Sequence, residues 1–365
     1  MVFLQGGQTF DHYGHLVPNP GRTLMSVQTP EKSEEETDTQ VVHLSETAVI
    51  FEGGFIDFHL HLRGQCDTIG IEELGLLKSG VVAVGDAGTY GWNNWAQRGR
   101  TQVVQSRGWV SLLKDGLTHH PEVPTFTGFT VLEEEKLAEL FADRQQAENH
   151  PVGLKIRLGQ HSEQEDRLLL ITGVAQARRL QVPLMVHLTG SFLSAEEVVE
   201  RLAAGDVLTH AYQGRRGNIL SQGGISPTVA AAVKNGLILD VGHGKNHFSW
   251  RVFQAALQAG LVPTTVSTDH TQNTWESAPV FNLSYVMSKL WAAGLTWEDL
   301  YWGVVRNPSR LLQLHPREDA AVVLDFHKET QKFTDAQGET LIAPGVWFPV
   351  LVVVNGRVIV QKMEK

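Results

Sequence analysis

The stretch GGFIDFHLHLR, residues 53–63, sets two histidines one residue apart in an otherwise apolar run. Strand side chains alternate with period two, so His59 and His61 project from the same side. Phe55, Phe58, Leu60 and Leu62 favour an extended chain, and Gly53 with Gly54 allows a sharp turn just before it. Two adjacent imidazoles suit a divalent metal, and a catalytic zinc takes three protein ligands while leaving a position open for water. In a chain with 16 histidines a His-x-His pair also arises by chance, so the pattern calls for partners downstream. Further polar residues each close or follow a short apolar run: Lys155 ends VGLK, His187 ends PLMVH, His210 ends DVLTH, and Asp269 follows TTVST.

Working outward, apolar runs at 55–60, 81–85, 109–113, 152–156, 183–186, 207–209, 237–241 and 264–267 read as strands. Helical stretches fall between most of them, at 71–78, 132–148, 163–180, 195–204, 228–235 and 250–259. Ser194 with Glu197 makes a capping-box pattern and Pro227 suits a first turn, while Gly80, Gly205, Gly236 and Gly260 fall where helices would end. Eight strands alternating with helices over roughly 250 residues predict an α/β fold, a (β/α)8 TIM barrel. Short strands are expected before it, at 2–4, 23–27 and 40–44. After it come helices at 280–293 and 296–314, then strands at 321–324, 350–354 and 357–360 around a turn at Asn355 and Gly356. Residues 1–52 and 316–365 are therefore expected to build one small β-domain flanking a barrel at 53–315.

A 42% hydrophobic content over 365 residues fills a sizeable core. The net charge of −10, with no basic stripe, argues against nucleic-acid and anionic-membrane partners and leaves a small-molecule substrate. A single cysteine, Cys66, rules out an internal disulfide framework and fits a reducing compartment, the cytoplasm; the thiol itself reads as a small buried hydrophobe. The first residues lack the charged and apolar regions of a signal peptide, and no run approaches the ~18 apolar residues of a membrane span. The acidic run PEKSEEETD, residues 30–38, reads as a solvated loop.

Catalytic groups of a (β/α)8 barrel sit at the C-terminal ends of strands. That rule takes His59 and His61 on strand one, Lys155 on four, His187 on five, His210 on six and Asp269 on eight to a single mouth. Four imidazoles and one carboxylate suffice for two metals if something bridges them, and Lys155 is the candidate. An ammonium among cations is disfavoured, so the amine is expected neutral, and a neutral amine adds carbon dioxide to become a carboxylate.

With these residues the chain resembles the amidohydrolase superfamily, in its dihydroorotase-like branch, over nearly its whole length. The stretches GVVAVGDAGTYG at 80–91, GLKIRL at 153–158, GDVLTHAYQGR at 205–215, LDVGHGKNHFSW at 239–250 and STDHT at 267–271 are similar to deacetylases that act on acetylated 2-hydroxy acids, such as acetyl-(R)-mandelate, and on N-acetyl-D-amino acids. The resemblance implies that His59, His61 and Asp269 hold one zinc, that His187 and His210 hold the other, and that carboxylated Lys155 and a hydroxide bridge them. It further implies that Asp269 takes the proton of the attacking hydroxide and delivers it to the leaving alkoxide or amine. A cyclic amide hydrolase of the dihydroorotase or hydantoinase type is the alternative. Arg63 fits the arginine expected behind the His-x-His pair of a dihydroorotase, whereas DAGTYG and DVGHG favour the deacetylases. A non-catalytic barrel scaffold would lose metal ligands, and here all six expected positions are filled.

For the substrate, Arg157 lies two residues beyond Lys155 and could pair with a carboxylate, or else form a salt bridge at the barrel mouth. Tyr90, Tyr212 and His243 are further candidate contacts, with Asn218 and Asn273 behind them. His119, His120, His161 and His247 read as loop residues without ligand roles. The family usually carries a glycine-serine pair where this chain reads KNHFSW, residues 245–250, so His247 changes that loop. Superfamily members often form homo-oligomers, and no surface feature in the sequence argues for a particular symmetry.

Overall fold

Seven parallel strands lie side by side in chain order: Phe55–Leu60, Val81–Gly91, Gln105–Ser111, Gly153–Leu158, Leu184–Leu188, Val207–Thr209 and Ile238–Asp240. The computed structural model describes residues 2–24, 39–120, 132–142, 150–160, 162–315 and 317–362. Segment 264–270 closes the ring, bridging the seventh strand at Asp240 and Thr265 and the first at Leu60 and His270. Its backbone bonds run both ways: the Val241 amide donates to the Thr265 carbonyl at 3.1 Å, Asp269 to His59 at 2.7 Å, and His61 to His270 at 2.9 Å. The expected eighth strand is thus present as a closing segment rather than a regular ladder.

Ile56, Phe58, Ala83, Trp109, Val152, Met185, Val207 and Ile238 meet in one apolar cluster with Leu312. Side chains from staves all around a closed ring touch one another only in its interior, so this cluster, drawn from six of the laddered staves and the residue just before the fourth, is the barrel core. Outside, helices pack on the ring and start as their caps dictate. Ser194 and Glu197 form a reciprocal capping box at Ala195–Val199, as do Ser162 and Glu165 at Glu163–Leu180. Pro227 opens Pro227–Lys234, where its missing N–H costs nothing.

Several boundaries differ from expectation for local reasons. The third strand begins at Gln105, four residues before the apolar run, because Gln105, Ser106 and Arg107 pair with the second strand despite their polarity. Helix Ala195–Val199 stops short of 204, its end tightening into i→i+3 bonds from Arg201 to Val198 and from Leu202 to Val199. The expected helix 296–314 is broken into Trp297–Tyr301, a π-turn at Trp302–Arg306 and Asn307–Leu311, where Pro308 cannot donate to the turn before it. Cys66 is exposed rather than buried.

Strands from both ends of the chain interleave beside the barrel. One sheet runs Arg357–Gln361, Val346–Val354, Ala321–His327, Val49–Glu52, Gln8–Phe10, Leu16–Pro18, and a smaller one runs Arg22–Leu24, Val2–Gln5, Gln40–His43. Val2, Leu4, Val42, Ile50, Ala321, Val323 and Leu351 share a separate core there. Asn355 and Gly356 both take positive φ, 53° and 64°, as a tight two-residue hairpin requires. A hairpin of Gln331–Thr334 and Thr340–Ala343, not expected from the sequence, leans on the loop after the seventh barrel strand: the Trp250 amide donates to Asp335 at 2.9 Å and the Ala336 amide to the Phe248 carbonyl at 3.1 Å. Residues 25–27 of the expected strand, the acidic run 30–38, residues 143–148 of the expected helix and His161 lie outside the described residues. Among the described residues no helix is long and apolar enough to cross a membrane.

Candidate metal centre

His59, His61, Lys155, His187 and Asp269 line a cavity of about 190 Å³ at the C-terminal ends of the barrel strands. His210 lies just behind, its ring centroid 4.3 Å from that of His187 and 5.0 Å from that of His59. All six residues that the sequence marks are therefore brought together.

Three of the histidines, His59, His61 and His210, are held by their Nδ1 atoms. His210 Nδ1 lies 2.6 Å from the Gly242 carbonyl oxygen, which can only accept, so Nδ1 carries the proton and Nε2 keeps its lone pair. Thr209 gives its hydroxyl proton to Asp240 at 2.6 Å and accepts from His59 Nδ1 at 2.7 Å, which frees His59 Nε2 in the same way. His61 Nδ1 meets the Thr89 hydroxyl at 2.8 Å. Asp240 also takes hydroxyl protons from Thr265 and Ser267, both at 2.7 Å. Burial pushes the Asp240 carboxyl up, but the bonds from His59, Thr209 and Ser267 outweigh it and hold the group below the usual carboxylate range.

The Nε2 atoms face the site. Those of His59 and His61 stand 3.2 and 3.4 Å from Asp269 Oδ1, while those of His187 and His210 are buried with no hydrogen-bond partner. An unpartnered buried polar atom costs about 1–3 kcal/mol, so several in one place form a donor set suited to a cation. Burial, followed by the surrounding charges, holds His187 and His210 well below the usual imidazole range, in the neutral form that ligates metal. Two groups each bring their ligand atoms within 4.8 Å, His59 with His210 and Asp269, and His187 with His210 and His247. These two clusters support a binuclear metal site.

The backbone is bent to achieve this. His210 and Asp269 adopt φ of 57° and 51°, a left-handed conformation that costs a non-glycine residue of order 1–3 kcal/mol and concentrates at functional sites. The DVGHG stretch wraps tightly around them: a Cβ on Gly242 would stand 2.7 Å from His210 Nδ1, and one on Gly244 would stand 2.6 Å from Asp269 Oδ2. Only glycine permits that approach.

Lys155 is buried, and among the described residues its Nζ has one hydrogen-bond partner, Met185 Sδ at 3.1 Å. Burial pushes its ammonium down to about 7, so much of the amine is neutral at neutral pH. Arg157 also lines the cavity; its Nε is buried without a partner, and no described acidic residue forms an ion pair with it. The salt bridge considered for Arg157 is thus absent among the described residues.

The other marked residues divide. Asn273 lines the cavity. Tyr90 is buried with its hydroxyl donating to Asp67, Tyr212 donates to the Leu261 carbonyl at 3.3 Å, and His243 Nε2 lies 2.8 Å from Lys289 Nζ; none of the three is at the cavity wall. Asn218 donates to the Arg215 carbonyl at 2.7 Å and is likewise elsewhere. His120 and His247, read as loop residues without ligand roles, line the cavity together with Lys245 and Asn246. The altered KNHFSW loop was the available signal for His247. Asp240, Thr209 and Thr89 escaped sequence reading, although each belongs to a stretch already marked.

No family model matches the chain. A deacetylase of Enterococcus faecalis is 26% identical over 343 residues, covering 87% of this chain and 89% of that one. A deacetylase of Agrobacterium fabrum is 30% identical over 272 residues, covering 72% of this chain and 65% of its own. Among solved structures, a dihydroorotase superposes with a TM-score of 0.79 at 23% identity, covering 99% of each chain, and shares the fold.

If Asp240 orients His59, Asp240→Ala should bind zinc about 10- to 100-fold more weakly in competition with a chromophoric chelator while keeping its circular dichroism spectrum. Unchanged affinity would mean that His59 is oriented without it.

Proposed function

Because the chain belongs to the amidohydrolase superfamily, in the dihydroorotase-like branch with the deacetylases, we propose that it is a binuclear zinc hydrolase that removes the acetyl group from a small carboxylate compound, an acetylated 2-hydroxy acid or an N-acetyl amino acid. The observation that carries this reading is the pair of buried, unpartnered Nε2 atoms of His187 and His210 beside Asp269, whose carboxylate meets the Nε2 atoms of His59 and His61. His59, His61 and Asp269 hold one ion and His187 and His210 the other, with Lys155 between them. The neutral Lys155 amine adds to carbon dioxide, forming an N–C bond and losing a proton, and the resulting carboxylate bridges the two positions. Its depressed pKa, which burial imposes against the attraction of Asp269, Asp240 and Asp86, and the absence of a contact ion pair with any described carboxylate support that step.

Bound there, two divalent ions lower the pKa of a water to about 7 and polarise the acyl carbonyl. Asp269 receives the proton of the attacking water and passes it to the leaving alkoxide or amine. Burial would raise its carboxyl, but His59 and His61 hold it well below the usual range, so it is ionised and able to accept. Arg157, which forms no ion pair with a described acidic residue, lines the cavity and binds the substrate carboxylate, with His120 and Lys245 also in the lining. Arg63, the residue that favoured a cyclic amide hydrolase, instead stands 3.6 Å from Glu72 and outside the cavity wall. The single cysteine supports a reducing, cytoplasmic setting.

The zinc-loaded protein should release acetate from one series in a panel of acetylated (R)- and (S)-2-hydroxy acids and N-acetyl-D- and L-amino acids. Turnover confined to dihydroorotate or hydantoins, run alongside, would overturn the deacetylase reading in favour of the cyclic amide class. Lys155→Ala should lose metal and activity together, with partial rescue by a short carboxylic acid; a variant keeping both metals would remove the bridging role. Loss of a charge-assisted contact worth about 1.5–3 kcal/mol predicts that Arg157→Met raises KM roughly 10- to 100-fold for acetylated acids and far less for their neutral methyl esters. Equal effects on both would contradict carboxylate binding by Arg157.

A further inference from the structure

The loop after the seventh barrel strand brings a fifth imidazole into the site. His247 lies at the cavity wall with its ring centroid 4.2 Å from His210 and 5.0 Å from His187, and the three offer ligand nitrogens within 4.8 Å of one another. Its Nδ1 is buried without a partner. Its Nε2 stands 3.8 Å from Asp269 Oδ2, too far for a hydrogen bond, so neither nitrogen is committed to a described residue.

The loop that presents His247 is pinned on both sides. Upstream, the Gly244 amide donates to the Thr268 carbonyl at 2.9 Å, and the His243 ring is clasped by buried Lys289, whose Nζ also donates to the Thr334 carbonyl at 3.1 Å. Downstream, the Ser249 amide donates to the Tyr212 carbonyl at 2.9 Å, and Phe248 and Trp250 are tied to the 331–343 hairpin. The imidazole is thereby delivered to the site by fixed backbone rather than by a free surface loop. His243, Tyr212 and Lys289 hold it there from behind, outside the cavity wall.

We propose that His247 is a third imidazole ligand at the His187 and His210 position, an inference that rests on the binuclear reading above and specifies one of its two positions. Zinc–nitrogen bonds run about 2.0–2.1 Å, and the three ring nitrogens already stand within 4.8 Å of one another, close enough to be gathered around one ion. A position with three neutral nitrogens favours borderline ions such as zinc and cobalt over manganese or magnesium, which suit oxygen donors.

The test titrates the metal-free full-length protein and its His247→Ser and His247→Gln variants with zinc against a chromophoric chelator. The imidazoles per zinc are then counted by X-ray absorption on the loaded proteins. The wild type should bind two ions, and each variant that keeps the wild-type circular dichroism spectrum should hold one ion as before while the other weakens at least 10-fold. Five imidazoles shared by two ions should fall to four, lowering the mean count per zinc. Equal affinities for both ions in the variants, with an unchanged count, would overturn the role of His247 and leave the binuclear reading standing. A wild-type protein that takes up fewer than two ions would instead overturn the binuclear reading itself.

Discussion

Closure of the barrel by segment 264–270 is the constraint on which the site depends. The segment has little regular ladder, and buried side chains take over the work of holding it. Thr265 and Ser267 give their hydroxyl protons to Asp240, and Thr268 is held by Asp57 through both its amide and its hydroxyl. Burial pushes the Asp57 carboxyl up to about 7, a sign of how far this seam lies from water. Beyond Thr268 the chain turns through the left-handed φ of Asp269, which sets that carboxylate against His59 and His61. Without the closure, Asp269 and the His-x-His pair would belong to opposite edges of an open sheet.

The same carboxylate that secures the seam also orients a ligand. From stave seven, Asp240 binds staves six and eight through their hydroxyls and reaches His59 Nδ1 at 3.2 Å, so barrel closure and imidazole orientation share one buried charge. Each such support consumes an Nδ1 and leaves an Nε2 facing the site. The free protein carries the cost of unpartnered nitrogens and two left-handed residues, and a bound cation relieves the first of these. The strain is stored where the chemistry needs the donors to stand.

What was legible in the sequence follows from the same physics. Polar residues at the ends of short apolar runs stand out because little else interrupts a buried strand, and the six ligand candidates and seven of the staves were readable on that basis. Helix Glu163–Leu180 was readable in full from its periodicity. Loops offer no such period, which is why nothing in the sequence drew His120 and His247 to the cavity wall; the short hairpin at 331–343 carried too little apolar alternation to stand out. Neighbourhood in sequence misled for Tyr212: it lies just past His210, but the chain takes a left-handed turn at His210 and the Tyr212 ring packs in the core against Phe253. Tyr90 is the last residue but one of a long buried strand, yet its hydroxyl is taken by Asp67, and the polar start of the third strand carries no hydropathy signal.

The binuclear centre bridged by Lys155 is tested most directly by a crystal structure of the zinc-loaded protein with anomalous scattering recorded at the zinc edge. Two peaks about 3.5–4 Å apart between the His59 and His187 sides, with added density continuous from Lys155 Nζ to both, is the expected result. A single peak, or two peaks beside an unmodified Lys155 amine, would contradict it.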